Sequence, residues 1–276
     1  MNQDKISLQS KDGLNLYFQN WVPDGEPRGV ICIVHGLGEH SGRYEHVAEF
    51  FNSAGFGVTA FDVRGHGKSG GPRGHTPAFE SFMDDIAAFM QESARQFPEL
   101  PLFLYGHSFG GLLVLNYALR RKPEIQGVIA SAPGLKSPVT EQKLKIFLAK
   151  VLGTLMPELA MASGLNAEHI SRDPEVVQKY VNDPLVHDRT SLAMAKHSIE
   201  AITWALENAM KFDLPLLIMH GDGDLITYPE GSQEFIAQVP ANKTLKIWPG
   251  LYHEIHNEPE KEAVLAFALD WVNQQL

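Results

Sequence analysis

The chain of 276 residues has a single cysteine, few basic side chains relative to acidic ones and no long uninterrupted apolar stretch. A disulfide framework is excluded because Cys32 is the only cysteine, and a chain of this length can bury a core without one. The 23 basic and 33 acidic residues give a formal charge of −10, which repels phosphate backbones. We therefore expect no nucleic-acid partner.

Neither the N-terminal segment nor the apolar segments favour export or membrane insertion. Residues 1–15 are polar and lack the apolar stretch of a signal peptide. The longest apolar region, residues 146–165, is interrupted by Lys150 and Glu158, and is too short and too charged to cross a bilayer core of about 30 Å. We expect a soluble, cytoplasmic protein without a transmembrane helix.

Short apolar runs alternate with segments of helical periodicity along most of the chain. The predicted buried strands are residues 30–34, 57–61, 102–105, 127–130, 216–219 and 245–248. The predicted helices are residues 44–54, 79–97, 112–121, 230–238 and 260–272. This alternation predicts an α/β protein with a mostly parallel, doubly wound sheet, preceded by a hairpin that turns at Asp12-Gly13.

One segment, residues 135–210, departs from this alternation because it contains several helical stretches and no recognisable strand. We predict a core formed by residues 1–134 and 211–276, into which residues 135–210 are inserted as a helical cap. Apolar residues spaced by three and four predict an amphipathic cap helix, with its apolar face packed inward or resting on a membrane surface. The residues of that face are Leu148, Val151, Leu152, Leu155, Met156 and Leu159.

The sequence Gly106-His107-Ser108-Phe109-Gly110 follows a predicted strand and precedes a predicted helix. A G-x-S-x-G pattern in this context is typical of a nucleophile elbow, in which a sharp turn presents the serine hydroxyl at the edge of the sheet. The alternative is an ordinary glycine-rich turn. The strand on one side and the helix on the other favour Ser108 as a nucleophile.

A serine nucleophile needs a base that accepts its proton and a carboxylate that orients the base, in the chain order serine, acid, histidine. Asp224 and His253 lie in that order, in the loops after the last two predicted strands. Asp222 is the rival acid, although a turn-capping role suits it better, and His256 is the neighbouring rival base.

The backbone N–H groups of Phe109 and Leu37 are the predicted donors of an oxyanion hole, which stabilises the charge of a tetrahedral intermediate. Phe109 directly follows the nucleophile, and Leu37 lies in the glycine-rich loop after the predicted strand 30–34. A plain strand-ending turn would explain the glycines of that loop but not their placement.

Motifs for a nucleotide or a metal are incomplete. Residues 65–70 match G-x-G-x-x-G, but Gly71 and Pro72 follow where a dinucleotide-binding motif needs a helix. Residues 253–256 read H-E-I-H, one residue short of the H-E-x-x-H zinc motif. We expect neither a cofactor nor a metal ion.

Three motifs occur together in one order: H-G-L-G-E-H-S-G-R-Y at residues 35–44, D-V-R-G-H-G-K-S at 62–69 and G-H-S-F-G-G at 106–111. With them the chain resembles the monoglyceride lipases, serine hydrolases related to lysophospholipase-like esterases, over nearly its whole length. The resemblance implies an α/β-hydrolase fold.

The resemblance also implies roles for particular residues. It supports Ser108 as nucleophile, with Asp224 as acid and His253 as base, because H-G-x-x-D ends at Asp224 and Y-H-x-x-H contains His253. It likewise supports Leu37 and Phe109 as oxyanion donors, although Leu37 stands where the family usually has a small residue.

In relatives of the mammalian type, residues that match Glu39, Arg43 and His256 hold the glycerol head group of the substrate. Without the resemblance, Glu39 and Arg43 could equally be a charged pair exposed to solvent on the surface. The implied activity is cleavage of a small lipid ester, a monoacylglycerol, to fatty acid and glycerol through an acyl-enzyme. Lysophospholipase or general carboxylesterase activity is the alternative. An acyltransferase is less expected. A non-catalytic receptor on the same fold is also less expected, because such receptors tend to lack a triad member and none is missing here.

Overall fold

The computed structural model describes residues 2–138, 140–240 and 242–276, and within them all side chains except those of residues 2–6, 143–145, 148 and 150. In chain order the strands are β1 (Asn2–Gln9), β2 (Asn15–Val22), β3 (Val30–Val34), β4 (Gly57–Phe61), β5 (Leu102–His107), β6 (Gly127–Ser131), β7 (Ala160–Ala162), β8 (Arg189–Ser191), β9 (Leu216–Gly221) and β10 (Lys243–Trp248). The α-helices are α1 (Glu45–Ser53), α2 (Phe79–Gln96), α3 (Phe109–Arg121), α4 (Lys143–Leu155), α5 (Pro174–Asn182), α6 (Leu192–Asn208), α7 (Pro229–Gln238) and α8 (Lys261–Gln274).

Eight of the strands form one sheet in the order β1-β2-β4-β3-β5-β6-β9-β10. The strands β1 and β2 form an antiparallel hairpin whose turn contains Gly13 at a φ of 81°, and β2 also pairs antiparallel with β4. The strands from β4 to β10 in this order pair in parallel. The predicted fold class is therefore confirmed, and every strand and helix predicted outside residues 135–210 is present with its ends shifted by at most three residues.

Two helical layers cover the sheet. On one face, α1 and α8 pack against it around Phe51, Phe103 and Trp271. On the other face, α2, α3 and α7 pack against it around side chains that include Phe89 and Leu115. Because both faces are covered, β3 is buried along its whole length, which is why its sequence is continuously apolar.

The strand order places two loops side by side. From β3 the chain goes to β4 on one side of it, whereas β5 pairs with β3 on the other side. Such a reversal opens a crevice at the carboxyl ends of the strands, where ligands bind in α/β sheets. The loop after β3 and the turn after β5 meet there.

The segment between β6 and β9 contains α4, α5 and α6. It also contains β7 and β8, which pair antiparallel, so the expectation of no strand in residues 135–210 is wrong. Each of these strands has three residues, which is too short for an alternating pattern of apolar and polar residues to be recognised in the sequence. Their pairing joins chain segments that lie about 30 residues apart.

The predicted apolar face of the insertion is only partly helical. The helix α4 ends at Leu155, so Met156 and Leu159 lie beyond it, and the Leu148 and Lys150 side chains lie outside the described residues. Leu155 is 72% exposed, and Leu152 36%, so this face is not packed inward. Within the described residues, no helix combines the length and apolar character that spanning a bilayer requires.

Candidate active site

Ser108 makes the turn between β5 and α3 by itself. Its φ of 54° lies in the left-handed region, which residues other than glycine rarely adopt. Three backbone hydrogen bonds hold this conformation: the Ser108 N–H donates to the Ser131 carbonyl at 2.9 Å, while Leu112 and Gly134 donate to the Ser108 carbonyl at 3.0 and 2.9 Å. A Cβ on Gly106 would lie 2.4 Å from the Gly110 oxygen, which explains the first glycine of the motif.

The predicted nucleophile, base and acid form one hydrogen-bonded chain. Nε2 of His253 lies 2.8 Å from Oγ of Ser108, and Nδ1 of the same ring lies 2.7 Å from Oδ2 of Asp224. All three residues are buried, with Ser108 the most accessible at 9%. The arrangement can transfer the Ser108 proton to Nε2 while the carboxylate holds the opposite side of the ring.

Asp224 accepts hydrogen bonds at both carboxylate oxygens. The N–H groups of Ile226 and Thr227 donate to Oδ1 at 2.8 and 3.0 Å, and the Thr227 hydroxyl reaches Oδ2 at 2.9 Å. Burial by itself would raise the pKa of Asp224, but the adjacent His253 and the hydrogen bonds from His220 and His253 hold that pKa well below its usual range. The carboxylate is therefore ionised at neutral pH.

The same contact affects His253. Burial favours the neutral ring, yet the Asp224 carboxylate outweighs it, and the pKa of His253 is raised above its ordinary value of 6.5. The rival acid Asp222 is exposed and accepts a hydrogen bond from the Gly250 N–H at 2.5 Å, which is a turn contact. Of the two aspartates, Asp224 is the one the structure places against His253.

The two predicted oxyanion donors have free N–H groups. Neither the Leu37 nor the Phe109 N–H donates to an acceptor within the described part of the chain. The loop that carries Leu37 is held by His35, whose Nδ1 donates to the Gly36 carbonyl at 2.7 Å while its Nε2 accepts from the Val63 N–H at 2.9 Å. Free N–H groups beside Ser108 suit an oxyanion hole.

A narrow cavity of about 10 Å³ adjoins Ser108. The core contributes Leu37, Glu39 and His253 to its wall, among other residues. The segment between β6 and β9 contributes three further residues, namely Leu165, Ile170 and Tyr180. Both parts of the chain therefore line the cavity at Ser108.

Glu39 and Arg43 form a buried ion-pair network rather than a solvated surface pair. Arg43 bonds Oε2 of Glu39 at 2.6 Å and both oxygens of Glu254 at 2.6 and 2.7 Å, and its guanidinium lies 4.7 Å from the centre of the Tyr180 ring. The Gly36 N–H and the Tyr44 hydroxyl donate to Oε1 of Glu39 at 2.6 and 2.7 Å. Although burial opposes ionisation, Arg43 lowers the pKa of Glu39.

Among the described contacts, His256 makes no hydrogen bond or ion pair with Glu39 or Arg43. It is fully buried and contacts the ring of His107, with ring centres 4.7 Å apart, and the ring of Tyr44 at 5.0 Å. Burial holds its pKa well below the usual value, so the ring is neutral. It is absent from the described lining of the cavity at Ser108.

Sequence reasoning missed several residues that contact this site. Tyr180 and Glu254 contact Arg43, and Thr227 contacts Asp224. His220, the first residue of H-G-x-x-D, contacts Asp224 as well, and its place in that motif was a usable signal. Among the described residues, no cluster of histidine, cysteine and carboxylate side chains is arranged to bind a metal ion.

Comparisons with known proteins extend this picture. The family model described as serine aminopeptidase S33 matches residues 25–260. A monoacylglycerol lipase of Mycolicibacterium smegmatis is 37% identical over 98% of this chain and 97% of that protein. An abhydrolase domain-containing protein of Dictyostelium discoideum is 39% identical over the whole chain, which spans 30% of that protein's length.

Solved structures agree with the fold. The crystal structure of a monoacylglycerol lipase from Paleococcus ferrophilus is 40% identical and superposes with a TM-score of 0.87, covering 95% of this chain and 99% of that one. The predicted α/β-hydrolase fold is thereby confirmed.

Proposed function

This chain belongs to the serine aminopeptidase S33 family of α/β-hydrolases, and we propose that it cleaves monoacylglycerols to fatty acid and glycerol through an acyl-enzyme. The observation that carries the proposal is the hydrogen-bonded chain from Ser108 through His253 to Asp224. The substrate class is supported by the similarity, over nearly the full length, to the monoacylglycerol lipase of Mycolicibacterium smegmatis.

In the proposed first step, Oγ of Ser108 attacks the ester carbonyl carbon while Nε2 of His253 accepts the hydroxyl proton. The resulting imidazolium lies against the ionised carboxylate of Asp224, which stabilises it. The N–H groups of Leu37 and Phe109 stabilise the oxyanion of the tetrahedral intermediate. When the intermediate collapses, His253 returns the proton to the leaving glycerol oxygen and the acyl group remains on Ser108.

The second step repeats this sequence with water as the nucleophile. His253 accepts a proton from water as the water oxygen attacks the acyl-enzyme, and then returns the proton to Oγ of Ser108. A fatty acid leaves and the free enzyme is regenerated. No cofactor takes part in either step as proposed.

We assign the glycerol end of the pocket to Glu39, which lines the cavity together with Ser108. A buried carboxylate can accept hydrogen bonds from glycerol hydroxyls. Arg43 would orient Glu39 through their ion pair. His256 would support the head-group site indirectly, by packing against the ring of His107. In this assignment Glu39 contacts the head group, and the other two residues support it.

We assign the function of a cap to residues 135–210. Leu165, Ile170 and Tyr180 close the cavity from that side. Exposed apolar side chains on α4 and just after it are suited to resting on a lipid surface, from which a monoacylglycerol would enter. They are Phe147, Val151, Leu152, Leu155, Met156 and Leu159.

The test is fatty-acid release from a monoacylglycerol chain-length series, measured beside lysophosphatidylcholine and a soluble short-chain ester. Monoacylglycerols should be cleaved fastest, and Ser108→Ala should lower turnover by about three orders of magnitude or more while the protein stays folded. Faster cleavage of lysophosphatidylcholine would overturn the substrate assignment. A Ser108→Ala rate within about tenfold of the wild type would overturn the nucleophile assignment.

A further inference from the structure

A second imidazole contacts the carboxylate of Asp224. Nε2 of His220 lies 3.0 Å from Oδ2, the same oxygen that His253 contacts at 2.7 Å. The series of contacts continues beyond His220, because its Nδ1 lies 2.7 Å from the hydroxyl of Ser232 in α7. The hydrogen-bonded chain at the active site therefore has five members, running from Ser108 to Ser232.

The contacts of His220 determine which of its nitrogens carries the proton. Nε2 also lies 2.9 Å from the carbonyl oxygen of Thr227, and a carbonyl can only accept. Nε2 must therefore carry a proton. In the neutral ring Nδ1 is then the acceptor, and the hydroxyl of Ser232 donates to it.

Ser232 has no other described hydrogen-bond partner for its hydroxyl. His220 and Ser232 are both fully buried. Without Ser232, Nδ1 would be a buried acceptor that has lost its donor, and the ring would lose the contact that holds it on this side. The serine thus acts on Asp224 through His220.

We propose that His220 and Ser232 are positioning residues for the hydrolytic reaction. Ser232 donates to Nδ1 and holds the ring in place, and the Nε2–H of His220 donates a hydrogen bond to Oδ2 of Asp224. This second donor fixes the carboxylate in the orientation that His253 needs to face Ser108. The proposal rests on the proposed roles of Ser108, His253 and Asp224.

Two substitutions at position 220 separate this role from simple filling of a buried site. In His220→Gln, the side-chain amide nitrogen can occupy the position of Nε2 and donate to Asp224 and to the Thr227 carbonyl. In His220→Asn, the shorter amide reaches only the position of Nδ1, so it keeps the contact with Ser232 and loses the donor to Asp224.

The measurements are kcat, KM and the pH profile of kcat/KM on a soluble ester, together with the rate of labelling by a fluorophosphonate. We expect His220→Asn to lower kcat and the labelling rate by about tenfold or more, with KM little changed. We expect His220→Gln to retain most of both. The expected loss follows because an Asp224 carboxylate with one donor fewer can rotate away from His253.

The acidic limb of the pH profile should move to lower pH in His220→Asn. A carboxylate that has rotated away from His253 stabilises the protonated ring less, so the pKa of His253 falls. The titratable and charged groups that influence His253 include Asp224, His107, His256, Glu254 and Glu39, and both variants retain all five. The shift is therefore specific to the contact between His220 and Asp224.

Should His220→Asn fail to fold, Ser232→Ala provides a milder test. It should lower kcat by about threefold and shift the acidic limb in the same direction. The matched control is Ser93→Ala, since Ser93 is another fully buried helical serine, paired with Thr59 at 2.8 Å in the core. The control should leave kcat and the pH profile unchanged.

Equal losses in His220→Asn and His220→Gln with an unchanged pH profile would overturn the proposal, and so would full activity in both. Failure of the proposed function gives different results. Cleavage of the soluble ester without cleavage of monoacylglycerols would refute only the substrate. An active Ser108→Ala variant would refute the nucleophile on which the positioning role depends.

Discussion

A Cβ on Gly110 would lie 2.1 Å from the carbonyl oxygen of Val34. The first turn of α3 therefore packs directly against the end of β3, backbone against backbone. Gly110 directly follows Phe109, and Val34 precedes the loop that contains Leu37. This close approach sets the distance between the two N–H groups that we assign to the oxyanion hole.

Gly110→Ala should destabilise the fold and reduce activity, because the added methyl group must push α3 away from β3. We expect the free energy of unfolding to fall by about 3 kcal/mol, measured by urea denaturation. Gly134→Ala is the control, since its Cβ would have no neighbour closer than 3.5 Å. Equal stability of the two variants would contradict this account of the elbow.

The pH dependence of kcat/KM should follow the protonation of His253. Only the neutral ring can accept the Ser108 proton, and Asp224 raises the pKa of the ring despite its burial, so activity should rise with pH with a midpoint above 6.5. In Asp224→Asn the residual activity should titrate at lower pH, since the largest influence that opposes burial is then removed. A midpoint unmoved by Asp224→Asn would mean that another group controls the limb.

Arg43→Ala should destabilise the protein strongly. The guanidinium is 10% exposed and lies between Glu39 and Glu254, so its removal leaves two buried carboxylates without a cation. We expect a loss of about 3–5 kcal/mol in the free energy of unfolding, measured by denaturant titration. The matched control is Arg95→Ala, whose side chain is 66% exposed and pairs with Glu92.

The control should cost at most about 1 kcal/mol, as exposed ion pairs contribute little. A similarly small loss in Arg43→Ala would show that the network around Glu39 does not depend on Arg43. The assignment of Arg43 as the residue that orients Glu39 would then be wrong.

Leu152→Asp should lower activity on vesicular or micellar monoacylglycerol more than on a soluble short-chain ester. The substitution puts a charge in the exposed apolar surface of α4, which weakens contact with a lipid surface. Met210→Asp alters an apolar residue that is 66% exposed and follows α6, and it should affect both substrates equally. Equal losses on the two substrates in Leu152→Asp would contradict the surface contact.

The sequence by itself determined the alternation of strands and helices, the elbow around Ser108 and the order of Ser108, Asp224 and His253. These features depend on short stretches of chain: a run of apolar residues, a pair of glycines, or a loop directly after a strand. Local backbone preferences and periodic burial act over such distances, so a pattern of a few residues records them.

Only the tertiary structure decided which distant residues surround the site. Arg43 and Glu254 are 211 positions apart, and Tyr180 comes from the inserted segment, so no local pattern could pair them. The strands β7 and β8 escaped prediction because a three-residue strand is defined by its partner rather than by its own periodicity. These contacts form only when distant parts of the chain pack together. That packing depends on the fold as a whole, so no short stretch of sequence reveals it.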